Sequence, residues 1–164
     1  MNDENVNILI VEDDEEARET LLEVLDKPEF NIEGYGTAEE GYIHINEKPV
    51  DLLITDLVLP GAMNGIELLG KVRQQYPSVQ VIMVTGHATV ETAIDAMKKG
   101  AFDYLTKPID ISRLRDLVEN ALEKRLEEIQ KNALARRIAE GRGFHGMYGK
   151  SEKFLSIVHR INLV

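Results

Sequence analysis

Short apolar runs and helical patterns alternate five times along the first three quarters of the chain. A short apolar run between turn signals is typical of a buried strand, whereas apolar residues three and four apart indicate a helix. This alternation predicts right-handed crossovers and a parallel sheet with helices on both faces. The predicted strands cover residues 7–11, 30–35, 51–56, 79–84 and 102–105, of which the second is weak.

Caps and helix breakers mark the five predicted helices between and after these strands. An oxygen-bearing side chain favours a helix start, and glycine or proline favours its end. The signals are apolar spacing over 17–25, a capping box at Thr37–Glu40, Gly65 before a helix stopped by Pro77, a helix over 89–99 closed by Gly100, and a cap at Asp110.

The fifth predicted helix continues beyond the length that the sheet needs. Its single apolar stripe consists of Ile111, Leu114, Val118, Leu122, Leu126, Ile129 and Ala133. Beyond about residue 124 we expect no sheet for the stripe to cover, so a partner helix is the economical way to bury it. We therefore expect a coiled-coil-like linker over 125–143 that dimerises through the stripe from Leu122 to Ala133. The alternative is a solvent-exposed helix with incidental apolar residues.

Polar and charged residues stand where four of the predicted strands end. The first strand is followed by Glu12-Asp13-Asp14, the third ends at Asp56, Thr85 follows the fourth and Thr106-Lys107-Pro108 follows the fifth. Ligands bind outside the carboxyl ends of strands in an open parallel sheet. Because burying an unpaired charge is costly, a carboxylate at the end of a buried strand indicates a functional site.

The residue types at these strand ends suit phosphoryl transfer with a divalent cation. A carboxylate such as Asp56 can attack a phosphoryl group and form an acyl phosphate. Glu12 and Asp13 supply charge for Mg²⁺, which prefers octahedral oxygen ligands. The Lys107 ammonium and the Thr85 hydroxyl can bind phosphoryl oxygens. Taken alone, the acidic run is equally well explained as acids on the dipole of a helix N-terminus.

Together, in this order, the residues resemble the receiver domain of two-component response regulators. Over roughly residues 5–124 the matching positions are Glu12, Asp13, Asp56, Pro60, Gly65, Thr85, Lys107 and Pro108. Residues 84–88 and 100–108 are most similar to receivers of nitrogen-regulatory, sigma-54-dependent activators. The resemblance implies a flavodoxin-like (CheY-like), doubly wound α/β fold with a five-stranded parallel sheet in the order 2-1-3-4-5. It also implies a receiver domain over residues 1–124.

The resemblance further implies a role for each site residue. A sensor histidine kinase would phosphorylate Asp56, and Mg²⁺ would be the cofactor. Thr85 and Lys107 would bind the phosphoryl group, and Thr85 with Tyr104 would form the switch. The metal ligands would be Glu12, Asp13, Asp56 and the backbone carbonyl of Val58. The Lys107–Pro108 bond would be cis, which directs the lysine inward.

Two departures from the family pattern stand out. Glu12 occupies a position that is usually aspartate, so Asp13 is the surer ligand. The loop Pro60–Gly65 is one residue longer than usual, with a predicted effect on kinase docking or loop mobility.

The C-terminal segment and the dimer surface are also interpreted from the resemblance. Residues 144–164 are similar to the entry of the AAA+ ATPase domain of sigma-54 activators, but the sequence stops before any phosphate-binding loop. We therefore expect a shortened form of a longer protein, whose contacts with sigma-54 RNA polymerase and DNA lie in absent domains. A homodimer is expected through the face of helix four, strand five and helix five, and through the linker.

Composition narrows the class of protein further. Hydrophobic residues make up 43% of the 164 residues, which is enough to form a packed core. The net charge of −10 argues against a basic nucleic-acid-binding face. The absence of cysteine excludes disulfides and thiolate metal sites. Because the chain shows neither a signal peptide nor a membrane span, we expect a cytoplasmic protein without a membrane partner.

Three other functions are alternatives to a non-enzymatic phosphoacceptor. A Mg²⁺-dependent aspartyl phosphatase of the haloacid-dehalogenase type needs a second aspartate two residues after Asp56, where this chain has Val58. A nucleotide- or flavin-binding module would want a glycine-rich turn after the first strand. A degenerate receiver that serves only as a phosphate-independent dimerisation module is disfavoured, because every site residue is retained.

Overall fold

A five-stranded parallel sheet carries the fold of the computed structural model, which describes residues 5–141. The spatial order β2-β1-β3-β4-β5 is the predicted one. The strands are β1 Val6–Val11, β2 Phe30–Tyr35, β3 Leu52–Thr55, β4 Gln80–Thr85 and β5 Asp103–Thr106. The helices are α1 Glu15–Val24, α2 Ala38–Glu47, α3 Gly65–Gln75, α4 Val90–Lys98 and α5 Ile111–Ala139.

Two apolar layers cover the two faces of the sheet. Alternate residues of β1 point to opposite layers, with Leu9 packing among α2, α3 and α4 and Ile10 among α1 and α5. A strand buried on both faces needs apolar residues at every position, which explains the uninterrupted runs of β1, β3 and β4. The predicted doubly wound architecture is therefore confirmed.

Side-chain caps fix where the helices begin, just after the strand ends. Asp14 caps α1, and Asp110 caps α5 as expected. At α2, Thr37 accepts from the Glu40 amide, but the Glu40 carboxylate accepts from the Thr37 hydroxyl instead of the cap amide, so the reciprocal box predicted there is incomplete. Each cap satisfies amides that helix geometry leaves free.

The amino edge of the sheet holds α5 further along its length than the sequence predicted. Leu122 and Leu126 are buried against the protein's own fold, at 4% and 8% exposure. Arg125 donates to Asp51 at 2.7 Å and to Ser78 at 2.8 Å. The expectation that the stripe has no sheet to cover beyond about residue 124 was therefore wrong by about one turn.

This extra turn also changes which part of the stripe is left for a partner helix. Glu128 accepts a hydrogen bond at 2.9 Å from the side-chain amide Nε2 of the buried Gln80, so α5 contacts β4 up to Glu128. Ile129 is half-buried and Ala133 is exposed. A partner helix could reach the stripe only from about Ile129 onward. The predicted linker end at 142–143 and the segment 144–164 lie outside the described residues.

Among residues 5–141, no helix is both long enough and apolar enough to cross a membrane.

Candidate functional site

Three carboxylates meet where β1 and β3 end side by side. Val11 of β1 is in register with Thr55 of β3, so the residues that follow emerge together. One oxygen from each of Glu12, Asp13 and Asp56 lies within 4.8 Å of the others. The side chains of Glu12 and Asp56 are almost fully buried, whereas Asp13 faces solvent. The predicted meeting of Asp13 and Asp56 at these strand ends is thus seen in the structure, whereas their role as metal ligands stays a prediction.

Lys107 supplies the cation that makes this acidic burial tolerable. Its Nζ donates to Glu12 Oε2 at 2.6 Å and to Asp56 Oδ2 at 2.7 Å. It reaches them from the end of β5, where its backbone amide donates to the Thr85 carbonyl at 3.0 Å. The Lys107–Pro108 peptide bond is cis, as the resemblance implied. Charge-assisted hydrogen bonds of this length are among the stronger ones in proteins.

The proton affinities of this pair show that burial and pairing compete. Burial raises the pKa of the Glu12 carboxyl, and hydrogen bonds from Lys107 and the Asp14 amide oppose that rise only in part. Burial acts to lower the pKa of the Lys107 ammonium, but hydrogen bonds to Asp56 and Glu12 outweigh it and the pKa is raised. Lys107 therefore stays charged, and the neighbouring anionic site is electrostatically crowded.

The donor set fits a magnesium ion. Magnesium takes oxygen ligands at about 2.0–2.1 Å, so two ligands of one ion lie up to roughly 4.2 Å apart. A limit of 4.8 Å between the carboxylate oxygens brings them within a small side-chain adjustment of that span. Asp13 faces solvent, which leaves room for the several waters that magnesium keeps. An ion here would share Glu12 and Asp56 with the Lys107 ammonium.

Val58 lies in the loop directly after Asp56. Its amide donates to Asp56 Oδ1 at 3.1 Å, and its side chain is half exposed. The loop is thus tied to the carboxylate, in keeping with the predicted use of the Val58 carbonyl, although the ligand role itself stays a prediction.

Thr85 and Tyr104, unlike the charged residues, form their described side-chain hydrogen bonds outside the acidic cluster. Thr85 is fully buried at the end of β4, and its hydroxyl accepts from the His87 amide at 3.1 Å. The Tyr104 hydroxyl is 3.1 Å from that of Thr92 on α4, so its described partner lies outside the acidic cluster. Their switch role stays a prediction.

Two charged side chains that the sequence analysis missed support the site through the backbone. Arg18 on α1 donates to the Glu12 carbonyl at 2.8 Å. Glu39 on α2 accepts from the amides of Ala62 and Met63, in the loop after Asp56. A contact to a distant backbone atom leaves no residue pattern, so neither could be found by motif. The one available hint is a single arginine within the acid-rich start of α1.

Comparison with known proteins places this geometry in a family. Residues 8–119 match the response regulator receiver domain. The response regulator PilR of Pseudomonas aeruginosa is 36% identical over 130 residues, which are 79% of this chain and 29% of PilR. The chain thus spans about three tenths of that relative's length.

Two solved structures are similar as well. The crystal structure of NtrX from Brucella abortus superposes with a TM-score of 0.74 at 29% identity, covering 81% of this chain and 31% of NtrX. The beryllofluoride-activated NtrC4 receiver domain dimer superposes with a TM-score of 0.68 at 28% identity, covering 73% of this chain and 98% of that one.

Proposed function

The chain belongs to the response regulator receiver domain family, and from that membership we propose that Asp56 accepts a phosphoryl group from a sensor histidine kinase. The observation that carries the proposal is the placement of Asp56: a buried carboxylate, 2.7 Å from a lysine ammonium and within 4.8 Å of two more carboxylates. A structural ion pair needs no such surplus of negative charge.

The residues divide the work of phosphoryl transfer among them. An oxygen of Asp56 attacks phosphorus, the bond from phosphorus to the donor histidine nitrogen breaks, and that nitrogen keeps the electron pair. Lys107, already charged, contacts the oxygens of the group being transferred, and the Thr85 hydroxyl is a second donor. When bound by Glu12, Asp13, Asp56 and the Val58 carbonyl, Mg²⁺ supplies the positive charge that offsets the carboxylates and the phosphoryl oxygens.

Phosphorylation then acts on a packing equilibrium. Thr85 would turn toward the phosphoryl group and give up its hydrogen bond from His87, and Tyr104 would move into the space vacated. Tyr104 bonds to Thr92 of α4, so its movement would alter the surface formed by α4, β5 and α5. A local change in charge that biases one of two packings is the general pattern of such switches.

The partners proposed beyond the kinase follow from the relatives. A homodimer is supported by the receiver dimer of NtrC4, and we propose the α4–β5–α5 surface and the later turns of α5 as its interface. Control of a sigma-54-dependent ATPase is proposed from the resemblance of residues 84–88 and 100–108 to receivers of sigma-54-dependent activators. The chain covers about three tenths of PilR and of NtrX, so further domains are present in those relatives. We propose that the receiver, predicted over residues 1–124, extends one turn further to about residue 128, that the linker follows to residue 143, and that 144–164 begin the ATPase domain. We place the protein in the cytoplasm, with DNA and polymerase contacts outside this chain.

The test is incubation with Mg²⁺ and acetyl phosphate, followed by intact-mass measurement. We expect a gain of one phosphoryl group that is absent in Asp56→Asn. Asp14→Asn is the matched control, because it removes a neighbouring carboxylate while asparagine still caps α1. It should be phosphorylated as the unaltered protein is.

Each other outcome contradicts the proposal and favours a rival. Rapid release of free phosphate without a lasting mass gain would indicate a Mg²⁺-dependent aspartyl phosphatase. No modification of the folded protein would favour the phosphate-independent dimerisation module.

A further inference from the structure

The loop between Asp56 and α3 is held at its start by buried leucines and at its end by the cap of α3. At the start, Leu57 and Leu59 are buried, at 8% exposure each. At the end, Asn64 forms a complete capping box with Glu67. The Gly65 amide also donates to the Leu57 carbonyl at 2.9 Å, which closes the loop on itself.

Gly65 must be glycine for this closure. A Cβ there would lie 1.8 Å from the Asp56 carbonyl oxygen, far inside any tolerable contact. The loop therefore returns directly against the backbone of the phosphoacceptor. A displacement in the middle of the loop can be passed to Asp56 over a short distance.

The middle of the loop is held from another element by Glu39. Its Oε1 accepts from the Ala62 amide at 2.8 Å and from the Met63 amide at 2.9 Å. Gly61 has φ of +101°, and a Cβ at that position would lie 2.9 Å from both Glu39 oxygens. A side chain at residue 61 would be strained and would also push Glu39 away.

Several facts indicate that Glu39 acts as a carboxylate in this contact. Hydrogen bonds from backbone amides hold the pKa of the Glu39 carboxyl below its usual range, and the largest contribution to this lowering comes from its own backbone amide. Hydrogen bonds to an ionised acceptor are roughly twice as strong as neutral ones. The contact lies in the loop that is predicted to be one residue longer than the family pattern.

We propose that Glu39 is a positioning residue for the phosphoacceptor loop: it holds Ala62 and Met63 so that Val58 stays in place beside Asp56. The inference rests on the proposed function, because Val58 is there a metal ligand through its carbonyl. Glu39 is not one of the proposed metal or phosphoryl ligands. Its effect passes through the backbone of the loop.

The experiment compares Glu39→Ala, Glu39→Gln and the matched control Glu40→Gln by calorimetric Mg²⁺ titration. Residues that orient metal ligands typically contribute about 10- to 100-fold to affinity, and we expect a loss of about tenfold in Glu39→Ala. Glu39→Gln keeps one acceptor oxygen in the same place, so it should recover part of the loss. Glu40, whose carboxylate accepts from the Thr37 hydroxyl, should be replaceable without effect on Mg²⁺ binding.

Amide hydrogen exchange gives a second readout that a general loss of stability would not reproduce. In Glu39→Ala the amides of Ala62 and Met63 should exchange faster, while those of β1 and β3 should keep their protection. Magnesium affinity and loop exchange equal to those of the unaltered protein would overturn the inference and leave the proposed function standing. If the unaltered protein itself binds no Mg²⁺, both proposals fail together.

Discussion

The two ends of β3 each carry a buried aspartate with a cationic partner, and they use it differently. Asp51, before the strand, accepts from the Asn7 amide at 2.8 Å and from Arg125 at 2.7 Å. Asp56, after the strand, accepts from Val58 and from Lys107 at 3.1 and 2.7 Å. Both residues are at most about one tenth exposed, so burial alone does not separate a structural pair from a functional one.

The partners make the difference. Arg125 also donates to Ser78, so its planar fork is fixed between two groups, and within residues 5–141 no acid other than Asp51 pairs with it. Lys107 is a point charge on a flexible stem, and Glu12 and Asp56 share it. One end of the strand fixes the course of α5, whereas the other holds an excess of negative charge that an added cation can relieve.

The largest expected effect is at the closed end of β3, the end before the strand where Arg125 pairs with Asp51. Arg125→Met should lower the free energy of unfolding by about 3 kcal/mol, because Asp51 would be left buried and unpaired. Urea unfolding with and without Mg²⁺ measures it. The loss should be the same in both conditions. A loss that Mg²⁺ restores would mean that the two ends are not distinct.

Lys107→Met is the corresponding change at the open end. We expect acetyl phosphate to react about 100-fold more slowly, which is the usual effect of removing one group that stabilises developing charge. In unfolding experiments the variant should be destabilised without Mg²⁺ and recover when it is added, because the ion replaces the missing cation. An unchanged rate of phosphorylation would contradict the role given to Lys107.

A smaller effect is expected where α5 meets β4. Glu128→Ala removes the nearer of the two acceptors of the buried Gln80 side-chain amide and should lower the free energy of unfolding by about 1 kcal/mol. Amides of α5 beyond this residue should exchange faster, while phosphorylation of Asp56 is unchanged. Glu127→Ala, on an exposed position of the same turn, is the control.

The smallest effect concerns pH and the loop after Asp56. Since the pKa of Glu39 is lowered from 4.5, its stabilising contribution is present above 4.5 and is lost as pH falls through the folded value. The thermal midpoints of the unaltered protein and Glu39→Gln should therefore converge as pH is lowered below 4.5. A difference independent of pH would show that the charge of Glu39 contributes nothing.

The sequence predicted the parts of this molecule that depend on pattern. Uninterrupted apolar runs placed β1, β3 and β4, and the strand ends placed the carboxylates around Asp56, because both follow from sheet geometry. The reach of α5 was predicted too short, since Arg125 and Glu128 look like solvent-exposed charges until their partners at the starts of β3 and β4 are known. The sequence analysis did not find Glu39 because its partners are backbone amides, which leave no pattern in the residue types.

The most direct test of the account is to locate the phosphoryl group. The protein is phosphorylated in the presence of Mg²⁺, the acyl phosphate is trapped by borohydride reduction, and the modified residue is identified by peptide mass spectrometry. We predict modification at Asp56 alone, and none when the divalent ion is removed by a chelator. Modification at another residue, or equal labelling of Asp56 without a divalent ion, would contradict the central claim.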